Sequence, residues 1–429
     1  MKSLYVLAAF SLLTFSLDAQ AKAAKDTSYR FSFGTGKPAA GYTKVMASDS
    51  YTDARGYGFD FETQPEARKP FYFSLGIPEG NYTVTLTLGS ATDSAATTVK
   101  AESRRLLVEN VTTAPGKFVT KTFTLNVRRP EIDAETRVGL KPRELTKLDW
   151  DTKLSFEFNG PAPAVKSIVI TKDNKAITVF LAGNSTVVDQ DDEPWASWGQ
   201  MFPRFFKPGV AIANHAESGL TLGSFAGSRR LKKVLSVMKP GDYLFIEFGH
   251  NDQKEKGPND GAYKSYTERL QMFVRETKAK GGIPVIITST SRRMFDSITH
   301  KTVNTLGDYP AAARKVAAEE KVALIDLNAM TTTLYDALGV EPSKKAFVHY
   351  PANTWPGQDK ALADNTHFNS YGAYEIAKCI VEGVKQNKLG ISKYLLNDTP
   401  TFNPAFPDDV NTWYLPASPK STVIKPDGN

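Results

Sequence analysis

The hydrophobic pattern of this chain changes its period near residue 172, and one layer of secondary structure cannot satisfy both patterns. Before the change, the apolar segments are short, aromatic and β-branched: residues 71–75, 82–88, 123–127 and 154–158. Several alternate apolar with polar residues, as half-buried strands do. Turn sequences such as Gly76-Ile77-Pro78-Glu79-Gly80-Asn81 and Pro115-Gly116 separate them. After the change, strand-like runs at 177–182, 242–248, 283–288 and 322–327 alternate with helical patterns around 198–206, 263–273 and 310–321. Ala373, Ile376, Ala377, Ile380 and Val384 mark one face of a last helix. The first half therefore predicts an all-β sandwich. The second predicts a parallel sheet with helices on both faces, whose chemistry gathers at the carboxyl ends of the strands.

A chain of 429 residues is long enough for two cores, and its 41% hydrophobic and 23% charged residues are those of a globular protein. The expected organisation is an export signal at 1–21, a β-sandwich at 26–172, a catalytic domain at 176–395 and a proline-rich extension at 396–429. The signal rests on Lys2, an apolar run at 4–15 too short to span a bilayer, and small residues at Ala19-Gln20-Ala21. Export would place the mature chain in the periplasm or outside the cell. Cys379, the single cysteine, sits in a helical apolar pattern and reads as packing. A net charge of +7 suits a polyanion, and nucleic acid and acidic polysaccharide both qualify.

The residues that follow the predicted strands carry the chemistry. Gly183-Asn184-Ser185-Thr186 follows the first strand of the second half, Asn214-His215-Ala216-Glu217-Ser218-Gly219 the second, and Gly249-His250-Asn251-Asp252 the third. Asp364-Asn365-Thr366-His367 precedes the last helix. A serine or asparagine in such a place is more often a helix N-cap, and Asp-x-x-His is common by chance. Together, though, the pieces supply a nucleophile, a base and an orienting carboxylate. Asp364 and His367, three apart in a turn, can meet through Nδ1 and leave Nε2 for Ser185. A free N–H at Gly219 and the amide of Asn251 would serve an oxyanion.

These four blocks in this order resemble the SGNH (GDSL) hydrolase superfamily, and over 177–389 they are most similar to its rhamnogalacturonan acetylesterase branch. The resemblance implies a flavodoxin-like three-layer α/β/α domain. It implies a Ser185–His367–Asp364 triad and an oxyanion hole of Ser185 N–H, Gly219 N–H and Asn251. The activity implied is acetyl-ester hydrolysis on an acidic pectic polysaccharide, with no cofactor or metal and neither nucleic acid nor membrane as partner. Phe31-Ser32-Phe33-Gly34 and Gly56-Tyr57-Gly58-Phe59 resemble the opening of a galactose-binding-like sandwich found in bacterial members. Two positions depart from the pattern: Asn184 stands where the family has aspartate, and Gly219-Leu220-Thr221 where the branch has Gly-Arg-Ser.

Trp195, Arg292 and Arg293 are candidate substrate contacts, by stacking on a sugar or pairing with a uronate. Trp198 reads as core. His215 and His250 read as structural hydrogen-bonders, and Asp189, Asp191, Asp192 and Glu193 as an acidic loop. Alternative functions are a non-catalytic carbohydrate-binding protein descended from an esterase, an esterase of another glycan such as xylan, and a metal-dependent phosphoesterase.

Overall fold

The computed structural model describes residues 28–427 apart from Thr35 and Ala67; the expected export signal lies outside the described residues. The first half forms two five-stranded sheets. One contains β1 (Ser28–Phe33), β2 (Thr43–Val45), β5 (Gly80–Leu88), β8 (Val119–Val127) and β10 (Val165–Lys172), in the order β2-β1-β10-β5-β8. The other contains β3 (Tyr57–Asp60), β4 (Phe71–Gly76), β6 (Ala95–Ala101), β7 (Arg105–Thr113) and β9 (Lys153–Ala162), in the order β3-β4-β9-β6-β7. Phe31, Val84, Phe123 and Ile168 from one sheet meet Phe73, Val99, Leu107 and Phe156 from the other in a single core. Each fully buried phenylalanine there stabilises the fold by roughly 1.5–3 kcal/mol.

Strands β6 and β7 are the ones whose pattern the sequence conceals. Ala95-Ala96-Thr97-Thr98-Val99-Lys100-Ala101 is buried along almost its whole length, so polar residues face an interior rather than water and the alternation is lost. What covers them is the second half: Leu106 of β7 belongs to the core of the catalytic unit.

That unit is built on five parallel strands: β11 (Ile177–Gly183), β12 (Val210–Asn214), β13 (Tyr243–Phe248), β14 (Ile283–Thr288) and β15 (Ala323–Ile325). Their order, β12-β11-β13-β14-β15, is that of a flavodoxin-like sheet. Side chains alternate between two cores. Val179 and Leu181 join Ile376, Ile380 and Val384 of the helix Ser370–Gln386. Phe180 and Ala182 join Leu270 and Phe273 of Thr267–Ala279 and Val316 of Tyr309–Glu320. The order reverses between β11 and β13, which opens the crevice where ligands of such sheets bind.

Candidate active site

Ser185 and Asn251 follow the two strands that flank this crevice. The glycine before the serine is required for space rather than for a turn: a Cβ on Gly183 would lie 2.4 Å from Val187 Cγ2. The Asn184 side chain closes a small turn, its Oδ1 accepting from Thr186 N at 3.1 Å. Ser197 Oγ, at 2.6 Å, and Gln190 Nε2, at 3.1 Å, both donate to the Ser185 carbonyl and fix the nucleophile's backbone.

His367 and Asp364 do not sit in a free turn as their spacing suggests. They lie on β17 (Leu362–Phe368), which pairs with β16 (Phe347–Tyr350) through a register shift. Inside that irregularity Asp364 Oδ1 accepts from Thr366 N and His367 N at 2.8 and 3.0 Å, which makes a turn within the strand. Asp364 Oδ2 meets His367 Nδ1 at 2.8 Å, and His367 Nε2 stands 2.9 Å from Ser185 Oγ. Burial opposes the charge on Asp364, but the hydrogen bond to the His367 ring and the two backbone donors outweigh it and hold the carboxyl well below the usual range. An ionised carboxylate, an oriented imidazole and a serine hydroxyl in line can move a proton off that hydroxyl.

Beneath the nucleophile lies a second carboxyl. Glu247 of β13 accepts from Trp198 Nε1 at 2.6 Å and lies 2.9 Å from Thr186 Oγ1, which in turn is 3.0 Å from Asn184 Oδ1. Burial pushes Glu247 up to about 7. When protonated it can donate to Thr186, leaving the Thr186 hydroxyl to donate to Asn184. An amide at position 184 adds no further negative charge to this buried row, though its Nδ2 finds no partner.

On the other side of the crevice, Gly219 has φ +79°, a conformation that favours glycine. Among the described residues neither its N–H nor that of Ser185 donates to an acceptor. Asn251 spends one amide proton on the Leu220 carbonyl at 3.2 Å and, with Gly219, lines a cavity of about 400 Å³. Lys141 Nζ and Arg143 Nη2, from the segment joining β8 to β9, donate to the Ser218 carbonyl at 2.7 and 2.9 Å. Beside them the buried Glu217 carboxylate takes Lys147 at 3.0 Å and Arg143 at 2.7 Å. Burial alone would raise Glu217, but Lys147, Arg143 and Arg230 hold it down at about 2. No sequence signal marks Lys141 or Arg143, because they fall in an unpatterned stretch.

The C-terminal tail crosses this face. Thr422 O accepts from Trp195 Nε1 at 3.2 Å, Lys425 Nζ lies 3.4 Å from Asp364 Oδ2, and Asp427 reaches Lys141 and Arg143. Ser185 and His367 are buried, at 2% and 1% exposure.

The softer candidates are reassigned by their contacts. Trp195 is buried, edge-on to His367 at 5.9 Å, and offers no open face for a sugar. Arg293 is buried, its guanidinium held by Ser343, Asn365 and Val340. Arg292 donates to Thr305 and to the His250 carbonyl and braces a loop. Trp198 is fully buried. His250 bonds the Thr290 carbonyl at 2.8 Å, and burial, with Arg292 nearby, pushes it down to about 3. His215 is no hydrogen-bonder through its Nδ1, which is unpartnered; its ring packs against Trp150 and Phe180. The acidic loop is a docking strip. Asp189 pairs with Arg105, Asp191 with Lys147, Glu193 with Arg104, and Asp192 with Lys420 of the tail.

Comparison with known proteins agrees with the fold. Residues 181–373 match the GDSL-like Lipase/Acylhydrolase family. The rhamnogalacturonan acetylesterase RhgT of Bacillus subtilis is 41% identical over 225 residues, 52% of this chain and 96% of that protein. The probable rhamnogalacturonan acetylesterase YesY of the same organism is 29% identical over 51% of this chain and 98% of its own length. An uncharacterized esterase of that organism, YxiM, is 27% identical over 85% of this chain and 92% of its own length, so that likeness extends into the sandwich half. With its serine at the end of a flavodoxin-like sheet and its histidine and aspartate brought to it by β17, the chain belongs to the GDSL-like lipase/acylhydrolase family and is a carboxylic ester hydrolase.

Proposed function

We propose that this protein is an exported carbohydrate esterase that removes O-acetyl groups from rhamnogalacturonan. The observation that carries the chemistry is the hydrogen-bonded line from Asp364 through His367 to Ser185 Oγ, at 2.8 and 2.9 Å. The names of the relatives RhgT and YesY support the substrate.

In this reading Ser185 Oγ attacks the acetyl carbonyl while His367 Nε2 takes its proton, and Asp364 stabilises the imidazolium. The oxyanion is met by the open N–H groups of Ser185 and Gly219 and the remaining amide proton of Asn251. His367 returns the proton to the departing sugar hydroxyl. Water, deprotonated by the same histidine, then attacks the acyl-serine and releases acetate. No step calls for a metal or cofactor.

The test is acetate release from acetylated rhamnogalacturonan, acetylated xylan and an aryl acetate, by wild type and Ser185→Ala. Release from the pectic polymer, lost in the variant, is expected. Serine-dependent release from the aryl acetate alone would discard the substrate and keep the mechanism. Release from none would overturn both and favour a binding protein.

A further inference from the structure

Lys141 carries a positive charge that the interior does not neutralise. The buried carboxylate next to it, Glu217, is already matched by Lys147 and Arg143. The neutral Ser218 carbonyl takes one ammonium proton of Lys141. The only carboxylate that the Lys141 ammonium meets among the described residues is Asp427, 3.2 Å away on the tail, and Arg143 reaches the same oxygen at 3.1 Å. That carboxylate sits directly on the candidate oxyanion loop: a Cβ on Gly219 would be 2.8 Å from Asp427 Cβ.

The cavity beside this pair is of about 400 Å³, which suits a sugar-sized ligand. Gly219, Thr221, Asn251 and Lys254 line it with hydrogen-bonding groups. Glu255, its other acid, is already engaged by Arg269 and by Thr221 Oγ1. The Asp427 side chain is 58% exposed, and exposed ion pairs of this kind contribute about 0–1 kcal/mol each. The tail carboxylate is therefore easily displaced by another carboxylate that brings further contacts with it.

We propose that Lys141 and Arg143 form a carboxylate subsite beside the oxyanion loop, fitted to a uronate group of the substrate and occupied by Asp427 until substrate displaces it. This rests on the acidic-polysaccharide reading above. It adds to it the place where the acidic sugar is held, next to the reacting ester rather than on the sandwich. It also gives the tail a role: a resident carboxylate holds the tail against the oxyanion loop until an acidic polymer competes for the same two cations.

Calorimetric titration of the full chain with galacturonate, with galactose as the neutral control, tests this without turnover. Wild type should bind galacturonate in preference to galactose. Asp427→Ala should tighten galacturonate about fivefold and leave galactose unchanged, within what its two exposed ion pairs permit. Asp427→Asn should act in the same direction while preserving the side chain's size, and melting curves confirm that both variants fold. Equal affinity for the two sugars, or no tightening in either variant, would overturn the subsite. Failure of acetate release from rhamnogalacturonan, with galacturonate tightening intact, would instead overturn the substrate and spare the subsite.

Discussion

Lys141 Nζ donates to the Ser218 carbonyl at 2.7 Å, and that carbonyl belongs to the same peptide unit as the Gly219 N–H. In a trans peptide the two groups point in opposite directions, so a cation gripping the oxygen aims the hydrogen the other way and polarises it. Position 141 thus governs the proposed oxyanion donor from the far side of its own peptide plane. Lys141→Met should lower kcat about tenfold on a neutral aryl acetate with KM nearly constant, less than the loss of a whole oxyanion donor. Steady-state kinetics check this. An effect on KM alone would assign Lys141 to binding only.

Glu247 ties stability to pH. Its folded pKa, raised by burial from 4.5 to about 7, means that the folded state holds a proton the unfolded state has lost. Stability is therefore lost as pH rises from 4.5 through 7. Glu247→Gln keeps an acceptor for Trp198 and removes the titration. The variant should gain on the order of 1–3 kcal/mol over wild type between pH 4 and pH 9. Urea midpoints at the two pH values measure it.

Arg230 is fully buried against Glu144, and both carboxylate oxygens lie within hydrogen-bonding reach of its Nη2, at 2.6 and 2.5 Å. The pair joins the segment between β8 and β9 to the catalytic unit. Arg230→Met should cost about 3–5 kcal/mol, because Glu144 is left charged and alone. Adding Glu144→Gln should recover most of that loss. Denaturant unfolding of the two single variants and the double variant closes the cycle.

Where an element is apolar along its length or carries an apolar stripe, the sequence discloses it. The runs at 177–182 and 283–288 and the helical stripe from Ala373 to Val384 fall on β11, β14 and the last helix. The four blocks of polar residues likewise fall at the carboxyl ends of strands or on β17, where Ser185, His367 and Asp364 come together. Elements that take polar side chains into an interior escape: β6 and β7 carry threonine, lysine and arginine against the other half of the chain. Charge pairs across long separations escape too. Nothing near Arg105 announces Asp189, and nothing near Lys141 announces Ser218, because these meetings exist only once both halves are folded. Trp195 was misleading for the same reason, since the residue that covers it, Thr422, is 227 positions away.

The docking strip has a consequence for how this enzyme can change over time. Asp189, Asp191, Glu193 and Glu217 belong to the catalytic unit, yet the cations that balance them, apart from Arg230, come from the sandwich or the segment joining its strands β8 and β9. A catalytic unit detached from that partner would strip four carboxylates of these cations and leave only Glu217 with one of its own, Arg230. Such a unit could not be transplanted as a portable cassette without rewriting those positions. The two halves are bound to drift together, each substitution on one bank constraining what the other can accept.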